Sequence, residues 1–239
     1  MIEAHLMKLR ARDEISAEEE KVVRGLVSEV VEVGPDRTVI RHGQELQNST
    51  LLLEGWMARA MDMPDGERQI AELQFPGDFT DLHGFTLKRL DHDIITITAC
   101  RFAQVPHERL KALTESFPHL ARVYWLLTNI DAAIQREWTA SLGRRTAIAR
   151  MAHLFCELNV RLGVVGLSLN NSYDFPLTQA EMAECLGLTT VHVNRTLQEL
   201  RRMGLIEMER QRVAIHDLEA LKTVAGFDPA YLSLEKRPR

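Results

Sequence analysis

A chain of 239 residues with 45% hydrophobic and 26% charged residues has the composition of a folded globular protein, which excludes disordered and fibrous classes. Its formal net charge of −5 argues against nucleic-acid binding over the whole surface. The charge is uneven, because residues 140–239 hold 13 Lys and Arg against 11 Asp and Glu, whereas residues 1–139 hold 16 against 23. A contact with a polyanion is therefore expected in the C-terminal part.

Neither a membrane span nor a secretion signal is predicted. No apolar run approaches the ~18 residues that a span requires, and residues 1–10 lack the apolar core of a signal peptide. We therefore expect a cytoplasmic protein. Cys100, Cys156 and Cys185 are scattered without a CxxC pair, so reduced, buried thiols are expected rather than a zinc ribbon or a disulfide framework.

The N-terminal third changes from helical to strand periodicity. Ser16 precedes three glutamates, a pattern that predicts a capped helix and, with Leu6 and Leu9, short packing helices over residues 1–30. Turn signals such as Pro64-Asp65-Gly66 then separate short apolar runs. The predicted strands are 38–40, 49–53, 56–61, 68–75 and 94–105. Their spacing is typical of a β-sandwich or barrel.

A long helix is predicted from Ser116 and Pro118, after a short helix at 106–114. Its apolar residues follow at steps of three and four: Leu120, Val123, Leu127, Ile130, Ile134 and Trp138. Such a seam predicts contact with another helix in a parallel homodimer, and the alternative is packing on the chain's own strands. Ser141-Leu142-Gly143 is expected to break the helix and act as a hinge.

Two further helices and a tight turn are predicted near the C-terminus, after a helix at 146–162 and a connector with a short strand at 166–169. Thr178 and Glu181 form a capping box, and Leu186-Gly187-Leu188 supplies the turn. Thr189 caps the second helix, which has an apolar stripe and ends at Gly204. The pattern predicts a helix-turn-helix.

The other face of this second helix carries donors suited to base edges and phosphates, and a predicted hairpin around Arg210-Gln211-Arg212 follows as a basic wing. An ordinary helical hairpin with a solvated polar face is the alternative. The candidate DNA-binding residues are Thr178, Gln179, Thr189, Thr190, Val191, His192, Asn194, Arg195, Gln198, Arg201, Arg202, Arg210 and Arg212.

These motifs resemble the winged helix of the Crp/Fnr superfamily of bacterial transcription regulators. Leu53-Glu54-Gly55-Trp56 and Leu73 to Phe79 resemble the glycine turn and the Pro-Gly-Asp corner of that family's cyclic-nucleotide-binding jelly roll. The resemblance implies an α+β chain with a jelly roll at 1–115, a dimerisation helix and hinge at 116–142 and a winged helix at 143–239. It also implies a non-enzymatic homodimer that reads a palindromic operator, with RNA polymerase as a partner if it activates.

The recognition helix departs from the family pattern at one position. Familiar members carry a glutamate three to four residues before the arginine that reads guanine, whereas Val191 stands four residues before Arg195 here. A valine cannot accept a hydrogen bond from cytosine, although it can pack on a thymine methyl. The expected half-site keeps one guanine but differs from the family's TGTGA or TTGAT.

The effector pocket also departs from the family. The candidate pocket residues are Gly77, Asp78, Phe79, Thr80, Asp81 and Leu82. Nucleotide binders follow them with an Arg-Ser or Arg-Thr pair for the cyclic phosphate, and Asp91-His92-Asp93 stands there instead. We therefore expect that cyclic AMP does not bind in the usual way. The sequence names no other effector or cofactor.

Four alternatives concern ligands and regulation. Asp91-His92-Asp93 is a weak candidate for a metal site and is expected to be an exposed polar turn, and His5, His42 and His83 leave haem ligation conceivable. A jelly-roll enzyme with a metal would need clustered histidines that the chain lacks before residue 192. A regulator that needs no ligand remains open.

Overall fold

The computed structural model describes residues 1–238, which divide into two compact units. The first unit comprises Met1–Met61, Ala71–Ala132 and residues 234–238, and the second comprises Asp62–Ile70 and Ala133–Ser233. The long helix Pro118–Arg144 and the hairpin of strands Met57–Asp62 and Arg68–Gln74 therefore each have residues in both units. No helix among the described residues is long and apolar enough to cross a membrane.

Five helices begin in the first unit as described: α1 (Glu3–Arg10), α2 (Ala17–Arg24), α3 (Gly84–Leu87), α4 (His107–Ser116) and α5 (Pro118–Arg144). The predicted cap of α2 is confirmed, since Ser16 Oγ accepts from the Glu19 amide at 3.2 Å and the Glu19 carboxylate accepts from the Ser16 amide at 2.9 Å. The predicted break at Ser141-Leu142-Gly143 is wrong because α5 continues to Arg144. One glycine costs a helix only about 1 kcal/mol, which neighbouring turns can offset.

Seven strands of the N-terminal half form two sheets: β1 (Glu29–Val33), β2 (Thr38–Ile40), β3 (Asn48–Glu54), β4 (Met57–Asp62), β5 (Arg68–Gln74), β6 (Asp93–Thr96) and β7 (Cys100–Pro106). Their orders are β1-β7-β3 and β2-β6-β4-β5. The strand predicted at 94–105 is two strands, one in each sheet. The sequence did not predict β1, which is half exposed and pairs antiparallel with β7.

Two apolar clusters stabilise this unit. The larger joins α1, the jelly roll and α5 through residues such as Leu6, Leu51 and Val123, each at most 2% exposed. The smaller joins the two sheets through residues such as Leu52, Met57 and Phe102. Burying each such side chain contributes about 1.5 to 3 kcal/mol. The N-terminal helix is therefore part of the core.

The second unit contains helices around a small sheet: α6 (Ala147–Val164), β8 (Ser168–Leu169), β9 (Ser172–Asp174), α7 (Gln179–Leu186), α8 (Thr190–Arg202), β10 (Ile206–Glu209), β11 (Arg212–Ile215), α9 (Leu218–Ala225) and a 3₁₀ turn (Pro229–Leu232). The sheet order is β10-β11-β9-β8. Strand β9 and helix α9 were not predicted. Tyr173 of β9 ties the sheet to α6, because its hydroxyl donates to the Phe155 carbonyl at 3.0 Å.

The apolar seam of α5 lies inside the chain rather than on its surface. Leu120 and Val123 are 0% exposed, Ile134 is 3% exposed, and Leu127 packs against the larger cluster. Ile130 is also buried, and the Trp138 indole donates to the buried Glu157 carboxylate at 3.1 Å. Five of the six residues predicted as the dimer interface are therefore buried within one chain and Leu127 is half-buried, and their role in a dimer stays a prediction. The regular spacing reflects packing on the jelly roll in the first unit and on α6 in the second.

Candidate nucleic-acid interface and effector site

The helix-turn-helix is held by the caps that the sequence predicts. Thr178 Oγ1 accepts from the Glu181 amide at 3.2 Å, and the Glu181 carboxylate accepts from the Thr178 amide at 2.7 Å. Gly187 ends α7 in the left-handed conformation with φ of 58°. Thr189 then caps α8, where its hydroxyl accepts from the His192 amide at 3.2 Å. The turn between the helices is thus fixed by local hydrogen bonds and by one glycine.

Helix α8 separates a buried face from an exposed one. Val193 and Leu200 are 0% exposed and Leu197 is 4% exposed. The predicted DNA-binding residues of α8 other than His192 are exposed, and Val191 is 78% exposed. Gln198 donates to Asn194 Oδ1 at 3.0 Å, so these two polar side chains lie together on the outer face. The exposed face carries hydrogen-bond donors and one apolar side chain, which are the kinds of group that contact base edges in a major groove.

The wing formed by β10 and β11 turns at Arg210 and Gln211, which adopt positive φ values of 47° and 61°. Arg201 of α8 donates to the Met208 carbonyl, which ties the recognition helix to the wing. Arg212 pairs with the Asp174 carboxylate at 3.0 Å. Arg201 and Arg212 therefore have partners within the chain. Arg195, Arg202 and Arg210 are exposed residues.

Arg150 supports the turn from beneath and was not predicted. Its guanidinium donates to the Leu186 carbonyl and, at 2.9 Å, to the Leu142 carbonyl. A Cβ atom on Gly187 would lie 3.1 Å from Leu142 Cδ2, so the turn packs closely on the end of α5. In the sequence, an arginine near the start of a helix cannot be told from an ordinary surface residue. The role of Arg150 in holding the turn becomes apparent only once the positions of α5 and α7 are known.

Four of the six predicted pocket residues are used inside the first unit. Phe79 and Leu82 belong to the larger apolar cluster, and the Asp78 carboxylate pairs with Lys8 of α1. A Cβ atom on Gly77 would lie 2.6 Å from the Ala4 carbonyl carbon, so α1 covers the corner. These four residues therefore make contacts within the first unit, and their assignment to an effector pocket stays a prediction. The docking position of α1 could not be predicted from its own residues.

The remaining two, Thr80 and Asp81, lie beside an arginine that the sequence analysis missed. Arg59 of β4 is 4% exposed. Its Nε donates to the Thr80 carbonyl at 2.8 Å, its Nη1 to Glu72 at 2.7 Å and its Nη2 to Asp131 at 2.8 Å. A charged residue between two alanines in a predicted strand was a usable signal. A guanidinium group is therefore present in this region, but it is already paired with the carboxylates of Glu72 and Asp131.

Burial shifts the ionisable groups around Arg59. Asp81 is 0% exposed, and burial raises the pKa of its carboxyl to about 7, although Oδ1 accepts from the Thr50 amide at 2.6 Å. Burial, with the nearby Arg59 charge, lowers the pKa of His83 to about 3. The same two causes lower the pKa of His92. The two histidines are thus neutral at pH 7 and supply no cation for a phosphate.

The candidate metal and haem ligands differ in burial and contacts from what the sequence predicts. His92 is only 10% exposed at its side chain, so the exposed-turn prediction fails for this residue, whereas Asp91 is exposed. Among residues 1–238 no cluster of three or more His, Cys, Asp or Glu could hold a metal ion. His5 is buried with Nδ1 within 2.9 Å of the Gly77 carbonyl oxygen and Nε2 within 3.1 Å of the Tyr124 hydroxyl. Its ring nitrogens are therefore both engaged within the protein.

The three cysteines are buried, as the sequence predicts. Burial raises the pKa of the Cys156 thiol to about 12 and that of Cys185 well above its ordinary value. Burial also raises the pKa of Cys100. The thiols are therefore protonated at neutral pH and poor nucleophiles.

Comparison with known proteins gives the same two-part organisation. Residues 30–117 match a cyclic nucleotide-binding domain, and residues 149–224 match a Crp-like helix-turn-helix domain. The transcriptional activator protein FnrL of Cereibacter sphaeroides is 33% identical over 199 residues, which cover 80% of this chain and 78% of that protein. The nitrogen fixation regulation protein FixK of Azorhizobium caulinodans is 29% identical over 75% of this chain and 72% of that protein.

Among solved structures, FixK2 from Bradyrhizobium japonicum superposes with a TM-score of 0.73 at 19% identity and covers 83% of this chain and 98% of that one. A CooA mutant from Carboxydothermus hydrogenoformans superposes with a TM-score of 0.68 at 15% identity, covering 88% and 92%. Identities this low show the fold alone. The shared fold is a cyclic-nucleotide-binding β domain, a long helix and a helix-turn-helix.

Proposed function

Because the chain belongs to the Crp/Fnr superfamily of bacterial transcription regulators, we propose that it binds a two-fold symmetric operator as a homodimer. The observation that carries the proposal is the exposed outer face of α8, which is capped by Thr189 and tied by Arg201 to the wing. A helix of this kind enters a major groove with its N-terminal residues on base edges. Two-fold symmetry then requires half-sites about one helical turn apart.

The first turns of α8 would read the bases. Arg195 is exposed, so its guanidinium can take guanine O6 and N7 bidentately. Val191 is 78% exposed and offers only a methyl surface, which suits a thymine methyl rather than cytosine N4. Thr190 and Asn194 are exposed beside them and can pair with neighbouring bases. The half-site therefore keeps a guanine but departs from TGTGA and TTGAT.

The remaining arginines would contact phosphates. Arg202 and Arg210 are exposed at the end of α8 and at the wing tip, where they can neutralise the backbone of either strand. Arg201 and Arg212 already have partners at Met208 and Asp174, so their contribution should be smaller. Loss of a phosphate contact weakens all sequences alike and flattens the salt dependence.

The homodimer would form through the outward face of α5 instead of the buried seam. That face repeats at steps of three and four, with Trp125 69% exposed. The other residues of the face are Arg122, Leu126, Asn129, Ala132, Ala133, Arg136 and Ala140. Small residues in its second half allow two helices to approach closely, and the family's dimers associate through this element. The occupant of the face is therefore a second copy of the chain.

The relatives named as activators support a role in activation. FnrL is described as a transcriptional activator. We propose that this chain also activates transcription, with RNA polymerase as its partner and the cytoplasm as its location. Cyclic AMP is not expected as the effector, because two carboxylates already hold Arg59. The absence of a clustered metal site among the described residues gives no support to the alternative of a jelly-roll enzyme.

In-vitro selection from random DNA tests the proposal. The wild type should enrich a palindrome, and sedimentation of the complex should give two chains per site. Arg195→Ala should cost about 1 to 3 kcal/mol and relax preference at one base pair, whereas Arg202→Ala is the matched control that weakens all sequences alike. Failure to enrich any palindrome would refute the proposal. An unaltered TGTGA or TTGAT motif would refute the role of Val191.

A further inference from the structure

Arg59 joins three separate parts of the first unit. The residue lies on β4, and its guanidinium donates to Glu72 of β5 at 2.7 Å, to the Thr80 carbonyl at 2.8 Å and to Asp131 of α5 at 2.8 Å. Glu72 is 0% exposed, and the Arg59 and Asp131 side chains are 5% and 26% exposed. The three contacts use all three nitrogens of the guanidinium. The jelly roll and α5 are thus bridged by one side chain.

We propose that this Arg59–Glu72–Asp131 cluster replaces a small-molecule effector, so that the protein binds its operator without a ligand. The inference rests on the proposed DNA-binding function and assigns its mode of regulation. A ligand that activates a regulator of this kind must favour one arrangement of its domains through contacts that differ between the states. Here a side chain of the chain itself supplies the contact between the jelly roll and the helix.

Charge explains why an anionic ligand does not compete with this cluster. Two carboxylates already neutralise the guanidinium, and burial strengthens each charge interaction relative to water. Asp81 lies close enough for the Arg59 charge to act on its pKa, and His83 and His92 are neutral at pH 7. A phosphodiester would therefore bring a further negative charge to a group of carboxylates. It would also have to displace Glu72 or Asp131.

The cluster is poorly explained as a device for stability alone. A buried ion pair often stabilises a fold no more than apolar residues of the same volume would. Removing the charge of Asp131 leaves the Arg59–Glu72 pair in place and weakens only the contact between Arg59 and α5. Asp131 is adjacent to Ala132, which belongs to the outward face of α5. A change in the Asp131 contact therefore acts on the helix that is proposed to align the two recognition helices.

The test compares operator affinity of full-length variants in fluorescence anisotropy, with protein refolded from denaturant and dialysed to remove small molecules. Asp131→Asn keeps the size of the side chain but removes its charge, and Asp131→Glu retains the charge. Glu115→Gln, an exposed carboxylate on α4, is the matched control for the change in net charge. Circular dichroism and thermal unfolding of each variant report whether the fold is intact.

The dialysed wild type should bind the selected operator fully, and addition of cyclic AMP should change nothing. Asp131→Asn should bind at least tenfold more weakly while it remains folded, and Asp131→Glu should recover most of the affinity. Full affinity of Asp131→Asn would overturn the inference. So would a wild type that binds only after a small-molecule extract of cells is added, although that result would leave the DNA-binding function standing. Failure of every preparation on every DNA would instead refute the proposed function.

Discussion

Replacing Trp125 with alanine should dissociate the homodimer without unfolding the chain. The indole is 69% exposed in one chain. A tryptophan presents roughly 200 Å², so about 140 Å² would become buried, which is worth ~3.5 kcal/mol per chain at about 25 cal/mol per Å². Two copies contribute to each dimer, while association and incomplete burial offset part of the gain. We therefore expect the dimer dissociation constant to rise by at least about a hundredfold, or ~2.8 kcal/mol.

Sedimentation velocity over a concentration series measures this constant. Leu87→Ala is the matched control, because Leu87 is an apolar residue of α3 that is 63% exposed and lies off the proposed interface. Ile130→Ala tests the buried seam, and it should lower the free energy of unfolding by about 2 to 5 kcal/mol while the folded protein still dimerises. An unchanged dissociation constant for Trp125→Ala would show that the outward face of α5 is not the interface.

Two predictions concern stability. Burial raises the pKa of Asp81 from 3.8 to about 7, so the folded state keeps a proton that the unfolded chain loses, and stability falls as pH rises from about 4 to 7. Asp81→Asn should abolish about 4 kcal/mol of this pH dependence in urea titrations, and an unchanged profile would contradict the assignment. Gly77→Ala should destabilise more than Gly66→Ala, because their φ values are 90° and 87° but only Gly77 has backbone, at Ala4, within 3.0 Å of an added Cβ. Thermal unfolding measures both, and equal losses would contradict the close approach.

The sequence predicted the helix-turn-helix well because its determinants are local. Each cap is a hydrogen bond between residues three apart, as between Thr178 and Glu181, and the turn needs one left-handed residue at Gly187. Such bonds form in any context that lets the helix form. The same holds for Ser16 at the start of α2. The fold class and the recognition helix could therefore be predicted without knowledge of any tertiary contact.

The apolar seam of α5 shows what hydrophobic periodicity cannot predict, namely the partner of a helix face. Steps of three and four place residues on one face of a helix, but they do not say what covers that face. Leu120 and Val123 pack on the chain's own jelly roll, whereas Trp125, on a less regular face, is left exposed. The seam has the larger number of apolar residues, and most of them are buried within the chain. The face that carries Trp125 is therefore the one that we propose for association.

The contacts made around the predicted effector pocket could not be predicted from the sequence, because they join distant parts of the chain. Arg59 is separated from Asp131 by 72 residues, and Lys8 from Asp78 by 70 residues. The sequence showed that the expected arginine was missing near Asp91, but it did not show that another arginine enters from β4. Motif alignment compares positions, whereas a pocket is defined by which side chains meet. The chain therefore departs from the nucleotide-binding pattern in two ways. It lacks the arginine expected near Asp91, and it has Arg59 inside the first unit.

The positions of Asp131 and Trp125 on α5 have a consequence for control. They lie six residues apart, less than two turns, so one helix segment contacts the Arg59 guanidinium on its inner side and carries the proposed dimer face on its outer side. A rigid helix rotates as a unit, and loss of the inner contact therefore changes the angle at which the outer face meets a second copy. Asp131→Asn should accordingly weaken dimerisation as well as operator binding. If Asp131→Asn lowered operator affinity while the dimer constant stayed unchanged, the signal from the cluster would have to travel along α5 without passing through the dimer face.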